Sequence, residues 1–204
     1  MKLSLSLTTA VVSGLCLAML SVIVWSGVVD QTDHSLRQMA LTADPVGAVP
    51  FWRAVTFLGS AIVITSLTLA TVVWDLFCRH WQSARFITTV MLAAVVLENA
   101  LKWIVQRPRP EEVFANTMPA SFSFPSGHAL FATAFYGSCA VLTANRLNNS
   151  LVWALMIIVL LGIGASRIFL GVHYASDVLA SYLAGLTIIT LVQSVSPQTN
   201  PDKI

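Results

Sequence analysis

The sequence contains few charged residues. Only 10% of its 204 residues are Asp, Glu, Lys or Arg, whereas 56% are hydrophobic. A soluble globular domain carries about 25% charged residues, so this chain lacks the polar surface that a water-soluble body needs. Its mean hydropathy of +0.79 agrees with that exclusion. We therefore expect an integral membrane protein.

Features of several other protein classes are also missing. The net charge is only +2, and no run of Lys and Arg could follow a phosphate backbone, so we expect no nucleic-acid partner. The three cysteines form no CxxC pair, and each lies within or beside an apolar stretch, which is typical of small buried side chains. We find no internal repeat and no segment with the composition of a soluble domain. The redox compartment and the oligomeric state stay open.

Long apolar stretches divide the chain. A membrane-spanning helix needs about 20 mostly apolar residues. Charged residues bound six such stretches, at residues 3–29, 54–74, 86–104, 129–145, 147–166 and 175–194. The first is longer than the apolar part of a signal peptide, which has about 7–15 residues, so we interpret it as a retained span. The sequence predicts an all-α polytopic membrane protein, a bundle of six transmembrane helices.

The charges of the loops favour one orientation of this bundle. Six spans place both termini on one side of the membrane, together with short basic loops that include Arg79 and Arg85. Basic loops mark the cytoplasmic side. The opposite loops are basic as well, so a raw count does not decide the orientation. If the basic residues there bind a ligand, the remaining bias favours cytoplasmic termini.

Polar residues concentrate in three clusters at the ends of predicted spans. The first runs from Lys102 to Pro110, the second from Pro125 to His128 and the third from Ser166 to Asp177. A charge at the bilayer centre costs roughly 2.5–3.5 kcal/mol, so charged residues near spans mark candidate sites. Because successive spans alternate in direction, all three clusters lie at the same membrane face. Span counting alone therefore brings the three clusters to one surface.

The first group of residues in these clusters suits an oxyanion. Lys102, Arg109 and Arg167 are cations, and arginine offers a planar fork that matches phosphate oxygens. Ser126 stands at a predicted helix start, where its hydroxyl and the free amides that follow it are able to bind an anion. Gly127 lets the backbone approach closely.

The second group suits acid–base and nucleophilic chemistry. His173 and Asp177 are four residues apart, so they meet on one helical face. A carboxylate beside an imidazole fixes its tautomer, which is how a histidine nucleophile is activated. His128 has no acidic partner close in sequence and is a candidate proton donor. A His–Asp pair at this spacing is often structural, and only its occurrence on one face with the cations favours the functional interpretation.

The same residues form the three-part signature of a known family. The pattern K-x6-R-P reads Lys102–Pro110, P-S-G-H reads Pro125–His128, and S-R-x5-H-x3-D reads Ser166–Asp177. Every specified position matches in order, so the chain resembles the type 2 phosphatidic acid phosphatase (PAP2) superfamily. The resemblance covers residues 92–191, and the stretch 56–60 also resembles the family's second span. We expect a single domain over residues 1–204, with its catalytic core at about 92–191.

The resemblance implies roles for these residues. The histidine of the third pattern, His173, attacks phosphorus and forms a phosphohistidine, while Asp177 orients it. The histidine of the second pattern, His128, protonates the leaving alcohol. The residues implied to bind phosphate are Lys102, Arg109, Ser126, Gly127 and Arg167. No metal or other cofactor is implied, since fixed cations and amides stabilise the transition-state charge, and the sequence has no carboxylate cluster that would hold Mg²⁺.

Two residues near the first pattern have open roles. Arg107 begins a second Arg-Pro pair just upstream, so it could assist or substitute for Arg109. Glu98 lies one helical turn before Lys102 and has the spacing of an ion pair with it. It either orients Lys102 or makes a plain polar contact between helices.

The resemblance implies a phosphatase of lipid phosphates or diphosphates in the plasma membrane, which in bacteria is the inner membrane, with its site at the extracytoplasmic face. Candidate substrates are phosphatidic acid, phosphatidylglycerol phosphate and undecaprenyl diphosphate. A phosphotransferase that passes the phosphate to another lipid alcohol is a second hypothesis. A non-catalytic carrier of an anionic lipid is a third, but it would not need the pair His173–Asp177. Vanadium haloperoxidases share the anion site but are soluble, so the apolar spans argue against them.

Overall fold

The structure is a computed structural model that describes residues 5–43, 47–111, 121–147 and 150–195. Over these residues the chain forms α-helices and no β-strand. The helices are α1 (Leu5–Trp25), α2 (Asp30–Ala43), α3 (Val49–Phe57), α4 (Ala61–Phe77), α5 (Trp81–Val105), α6 (Gly127–Leu147), α7 (Ser150–Phe169) and α8 (Ala175–Val195).

Five segments of the described chain are long and apolar enough to cross a membrane: α1, the run Val49–Phe77 that contains α3 and α4, α5, α7 and α8. Helix α6 has 21 residues, the same length as α1, and packs against α4, α5, α7 and α8. The expected all-α membrane bundle is confirmed, and counting α6 gives the six-helix arrangement. The predicted start of the first span, residues 3 and 4, lies outside the described residues.

Helix α8 lies at the centre of the bundle, against α1, α5 and α6. Its buried face carries small side chains such as Ala180, Ser181 and Ala184, which allow neighbouring helices to approach closely in a membrane. An ideal Cβ built on Gly185 would lie only 2.5 Å from Cγ2 of Thr133 on α6. The close contact between α6 and α8 therefore requires glycine at this position.

The outer faces of the bundle are apolar. Large hydrophobic side chains that are exposed include Leu15 on α1, Ile62 on α4, Val96 on α5 and Ile158 on α7. In a water-soluble protein such a continuous apolar exterior would be an aggregation hazard. Here it is the surface expected to face lipid.

The connection between the first two spans is largely helical, which the sequence analysis did not predict. Helix α2 has two acidic residues in its first turn, Asp30 and Asp33, and negative charge there is favourable to a helix. It packs against α7 and α8 and buries Asp33 and Arg37. Helix α3 follows and is separated from α4 by a short break before Ser60, whose hydroxyl accepts a bond of 3.4 Å from the amide of Val63.

The three polar clusters meet at one end of the bundle, as span counting predicted. Arg107, just beyond α5, donates a hydrogen bond of 2.8 Å to Asp177 at the start of α8. It donates another of 2.8 Å to Asp30 at the start of α2. Helix α2 therefore lies over the end of the bundle that carries the candidate site.

We expect Gly185→Ala to destabilise the protein, because the added methyl group would overlap Thr133 at the α6–α8 contact. Overpacking of this kind costs about 1–3 kcal/mol. The matched control is Gly14→Ala, whose Cβ would lie 3.5 Å from Cγ2 of Thr187, an ordinary contact. Thermal unfolding in one detergent should show a lower midpoint for Gly185→Ala only. Equal midpoints for the two variants would contradict the close packing.

Candidate active site

His173 lies in the short link between α7 and α8, and the chain holds it there by backbone contacts. The link turns at Gly171, whose φ of 72° suits glycine. The amides of Val172 and His173 then donate to the carbonyl of Arg167 at 3.1 and 3.3 Å. The imidazole is therefore placed directly beyond the last turn of α7, with 2% of the residue exposed.

The partners of the imidazole define its tautomer. Nδ1 of His173 lies 3.4 Å from Oδ2 of Asp177 and 3.4 Å from Oγ of Ser123. Nε2 lies 3.1 Å from Nη1 of Arg109. Because a guanidinium only donates, Nε2 must be the acceptor and the proton of the neutral ring is on Nδ1. The lone pair of Nε2 therefore points towards a cation.

Burial also keeps this imidazole neutral. It lowers the pKa of His173 to about 4, although the neighbouring carboxylate of Asp177 acts in the opposite direction, and the charges of Arg167 and Arg109 lower the pKa further. A neutral ring with an unprotonated Nε2 is the form in which histidine acts as a nucleophile.

Asp177 is fully buried, and its carboxylate is paired from several directions. Oδ2 accepts from Oγ of Ser123 at 2.6 Å and from the amide of Tyr174 at 3.0 Å. Oδ1 accepts from Nη1 of Arg107 at 2.8 Å. A buried carboxylate without such partners would be very unfavourable, so these contacts explain how the charge is tolerated beside His173.

Ser126 and Arg167 carry buried polar atoms that suit an anion. In the described part of the chain, Oγ of Ser126 and Nε of Arg167 have no hydrogen-bond partner. Most buried polar atoms in proteins are paired, so such atoms mark a place where a ligand supplies the partner. The main chain of Ser126 is held against α8, since its carbonyl accepts from Oγ of Ser181 at 2.9 Å. Nη1 of Arg167 donates to Oγ1 of Thr56 at 2.6 Å.

Arg109 is oriented by main-chain carbonyls. Its Nε donates to the carbonyl of Ser121 at 2.7 Å, and Nη1 donates to that of Val172 at 3.0 Å. Nη2 contacts the carbonyl of Phe122 at 3.3 Å. These bonds fix the guanidinium in front of His173 without using a carboxylate, so its charge stays available to an anion.

Lys102 and Glu98 form the ion pair that their spacing predicts. Nζ of Lys102 lies 2.7 Å from Oε1 of Glu98 and also donates to Oγ of Ser121 at 3.3 Å. An ideal Cβ on Gly127 would lie 2.6 Å from Oε1 of Glu98. Glu98 therefore contacts the lysine and also lies against Gly127 at the start of α6, where a larger residue would displace its carboxylate.

His128 lies in the first turn of α6, half-buried, beside the break between α3 and α4. An ideal Cβ on Gly59 in that break would lie 3.3 Å from the carbonyl oxygen of His128. The charges of Arg167, Arg109 and Lys102 act on its imidazole. His128 therefore lies on the same side of the site as the residues predicted to bind phosphate.

Arg107 does not face the candidate phosphate site. Its Nη2 donates to Oδ1 of Asp30 and to Oδ2 of Asp33, each at 2.8 Å, while its Nη1 binds Asp177. The sequence left Arg107 open as a substitute for Arg109, and the structure puts it on the side of Asp177 that is turned towards α2.

No group of three His, Cys, Asp or Glu side chains among the described residues is arranged to hold a metal ion.

Several contacts of the site were missed by sequence reasoning. They involve Asp30, Asp33, Thr56 and Ser123, none of which was singled out by its own chemistry. One signal was present: Asp30 and Asp33 follow the first apolar span and lie on the membrane face predicted to carry the site. Acidic residues near a set of cations on one face indicate an ion pair across the fold.

Comparisons with known proteins agree with this geometry. Residues 83–200 match the model of the PAP2 superfamily. Phosphatidylglycerophosphatase B of Bacillus subtilis (strain 168) is 26% identical over 180 residues, which cover 85% of this chain and 88% of that protein. An undecaprenyl-diphosphatase of Sulfolobus acidocaldarius is 31% identical over 112 residues, 51% of this chain and 52% of that protein.

A solved structure has the same fold. It is the crystal structure described as the first transmembrane PAP2 type phosphatidylglycerolphosphate phosphatase from Bacillus subtilis. It superposes with a TM-score of 0.82 at 24% identity, over 91% of this chain and 94% of that chain. The arrangement of helices around the candidate site is therefore shared with a transmembrane protein.

We expect Glu98→Gln to tighten the binding of inorganic phosphate or vanadate. The carboxylate competes with the anion for Lys102, and a hydrogen bond to a charged group is worth roughly 1.5 kcal/mol, or about tenfold in affinity. Inhibition constants of both anions would measure the effect. Glu111→Gln, which removes an exposed carboxylate beyond α5, is the matched control. Weaker binding in Glu98→Gln would mean that Glu98 supports the anion site rather than competing with it.

Proposed function

Because the chain belongs to the PAP2 superfamily, whose relatives here are membrane lipid phosphatases, we propose that it removes a terminal phosphate from a lipid through a phosphohistidine on His173. The observation that carries this proposal is the state of that imidazole. Its Nδ1 faces Asp177 and its Nε2 lies 3.1 Å from Arg109. The nitrogen that is proposed to attack phosphorus is thus held beside the arginine that would bind a phosphate oxygen.

The first half of the reaction forms a bond from Nε2 of His173 to phosphorus and breaks the bond from phosphorus to the lipid oxygen. The proton on Nδ1 stays with the ring, and Asp177 stabilises the imidazolium character that develops. His128 donates a proton to the departing lipid oxygen. In the second half, water attacks phosphorus, His128 takes a proton from that water, and Nε2 of His173 is released with inorganic phosphate.

The phosphate oxygens are bound by fixed donors. Arg109 and Arg167 supply guanidinium groups, Lys102 supplies an ammonium group, and Ser126 supplies its unpaired hydroxyl. The amide of Gly127 lies at the start of α6, where the helix favours an anion. Little reorganisation is needed when charge develops in the transition state, because these groups are already oriented by the protein.

The surroundings of the site support a lipid substrate. Trp103 is 70% exposed beside Lys102, and its ring lies 6.0 Å from that of Phe122 at the edge of the connection to α6. Aromatic rings of this kind settle at the depth of lipid headgroups. A phosphate on a lipid therefore reaches the site while its acyl or prenyl chain stays in the membrane.

Within this reaction class, we assign the substrate to the group of phosphatidic acid, phosphatidylglycerol phosphate and undecaprenyl diphosphate. Two relatives, named as a phosphatidylglycerophosphatase and an undecaprenyl-diphosphatase, support that range.

The protein acts as a single domain in the plasma membrane, with its site at the extracytoplasmic face. The exposed Arg79 and Arg85, at the opposite end of the bundle, support cytoplasmic termini.

We expect His173→Ala to abolish phosphate release, by at least about 10³-fold in kcat, because the nucleophile is lost. The matched control is His80→Ala, which removes a histidine at the opposite end of the bundle. Release of inorganic phosphate should be measured in detergent micelles with EDTA, on lipid monophosphates, lipid diphosphates and soluble phosphate esters. Turnover by His173→Ala at the wild-type rate on the preferred lipid would exclude the mechanism.

We expect the acid limb of the kcat/KM profile to lie near pH 4, the pKa of the buried His173, rather than near the ordinary histidine value of about 6.5. The neutral ring is the active form, so activity is present above this pKa and is lost as the pH falls through it. The profile is measured on one lipid phosphate, after correction for the ionisation of the substrate. A limb near the ordinary value would show that burial does not control this histidine.

A further inference from the structure

Arg107 is a buried cation that does not take part in the proposed phosphate-binding site. Only 6% of the residue is exposed. Nη1 donates to Oδ1 of Asp177 at 2.8 Å and to Oγ of Ser176 at 2.7 Å. Nη2 donates to Asp30 and Asp33, each at 2.8 Å. Both ends of the guanidinium fork are therefore engaged, one by α8 and one by α2.

Asp33 binds the start of α8 directly as well. Its Oδ1 accepts from the amide of Ser176 at 3.1 Å, and its Oδ2 accepts from the hydroxyl of Ser176 in a short hydrogen bond. A carboxylate at a helix N-terminus caps free amides and complements the helix dipole. Asp33 thus holds the residue next to Asp177 and the arginine that binds Asp177.

The face of Arg107 is covered too. Its Cζ lies 4.2 Å from the centre of the Tyr174 ring, and Tyr174 follows His173 in the chain. Stacking on an aromatic face fixes the plane of a guanidinium. The plane, the two nitrogen ends and the partners of Arg107 are all determined by the fold.

We propose that Arg107, held by Asp33 on α2, is the positioning residue that fixes the carboxylate of Asp177 and thereby sets the protonation and orientation of His173. The proposal deepens the proposed function and rests on it for its catalytic consequence. By binding Oδ1, Arg107 leaves Oδ2 of Asp177 to face Nδ1 of His173 at 3.4 Å. The positive charge of Arg107 also partly neutralises that carboxylate.

The consequence for His173 follows from the groups that face it. These are Asp177 on α8, Arg109 before α6, Arg167 on α7 and His128 on α6. Of these four, only the carboxylate favours the protonated imidazole. Without Arg107, the charge of Asp177 would act on His173 undivided, and more of the nucleophile would be held as the inactive imidazolium.

Arg107 keeps its own charge through the whole working range. Burial disfavours the cation, but the carboxylates of Asp177 and Asp33 outweigh this and raise the pKa of Arg107 above its ordinary value. The positioning contact is therefore not lost through deprotonation of Arg107.

The test compares Arg107→Gln, Arg107→Lys and Asp33→Asn with the wild type in one detergent. Arg85→Gln, an exposed arginine at the opposite end of the bundle, is the matched control. kcat and KM are measured on a lipid phosphate across pH. The titration of His173 is followed by NMR with isotope-labelled histidine, and its signal is assigned by its absence in His173→Ala.

We expect Arg107→Gln to lower kcat by about 10²-fold, the scale of a misplaced catalytic group, while KM changes by less than about threefold. The titration of His173 and the acid limb of kcat should both move up by roughly one pH unit, because an opposite charge within a few ångströms acts on that scale. Arg107→Lys should restore part of kcat as a single point charge. Asp33→Asn, which removes one of the carboxylates that hold Arg107, should lower kcat by a smaller factor and alter the His173 titration.

Three results would overturn the proposal. One is a lower thermal midpoint in Arg107→Gln with a wild-type His173 titration and a wild-type kcat, which would make the arginine merely structural. Another is a raised KM with an unchanged kcat, which would make it a phosphate ligand. If Arg107→Gln does not fold, a wild-type kcat together with a wild-type His173 titration in Asp33→Asn also rejects it.

Failure of the proposed function is recognised separately. If the wild type releases no phosphate from any lipid phosphate, the proposed function fails, whereas the His173 titration still decides whether Arg107 controls this imidazole. If the wild type is active and the titration of His173 is the same in all variants, the proposed function stands and the positioning role is rejected.

Discussion

The carboxylate of Asp177 is the group on which the arrangement of this protein depends. It is completely buried, and an uncompensated charge in such a place costs several kcal/mol. Two of its partners come from distant parts of the chain, Ser123 before α6 and Arg107 beyond α5. The third is the nearby amide of Tyr174. These elements must meet before the charge is tolerated, so the same contacts that stabilise the fold also assemble the environment of His173.

Opposite charges are divided between the two sides of the imidazole. On the side of Nδ1, the carboxylates of Asp30, Asp33 and Asp177 converge on Arg107. On the side of Nε2, cations are held by main-chain carbonyls, by Glu98 and by the hydroxyl of Thr56. The second side therefore has positive charge to offer an anion, whereas on the first side three carboxylates share the single cation of Arg107. In the proposed reaction, this asymmetry would direct a phosphate to Nε2 rather than to Nδ1.

The segment that matches the family model contains only one part of this arrangement. It covers residues 83–200 and so includes α6, α7 and α8, whereas α2 lies outside it. Through Asp33 and Arg107, α2 nevertheless contacts the start of α8 next to Asp177. The residues of α2 that bind Arg107 therefore lie outside the segment that defines the family.

The sequence by itself determined the membrane class, the all-α bundle and the meeting of the three polar clusters at one face, because composition and the alternation of spans follow from the order of residues. It also predicted the pair Glu98–Lys102, since a separation of four residues places two side chains together on any helix. Only the tertiary structure decided the role of Arg107. The chain leaves α5 through Gln106, whose φ is 49°, so the helical period no longer sets the directions of Arg107 and Arg109. Contacts such as Arg107–Asp33, 74 residues apart, and Arg167–Thr56, 111 residues apart, arise only when helices pack, because nothing in local spacing determines which helix lies beside another.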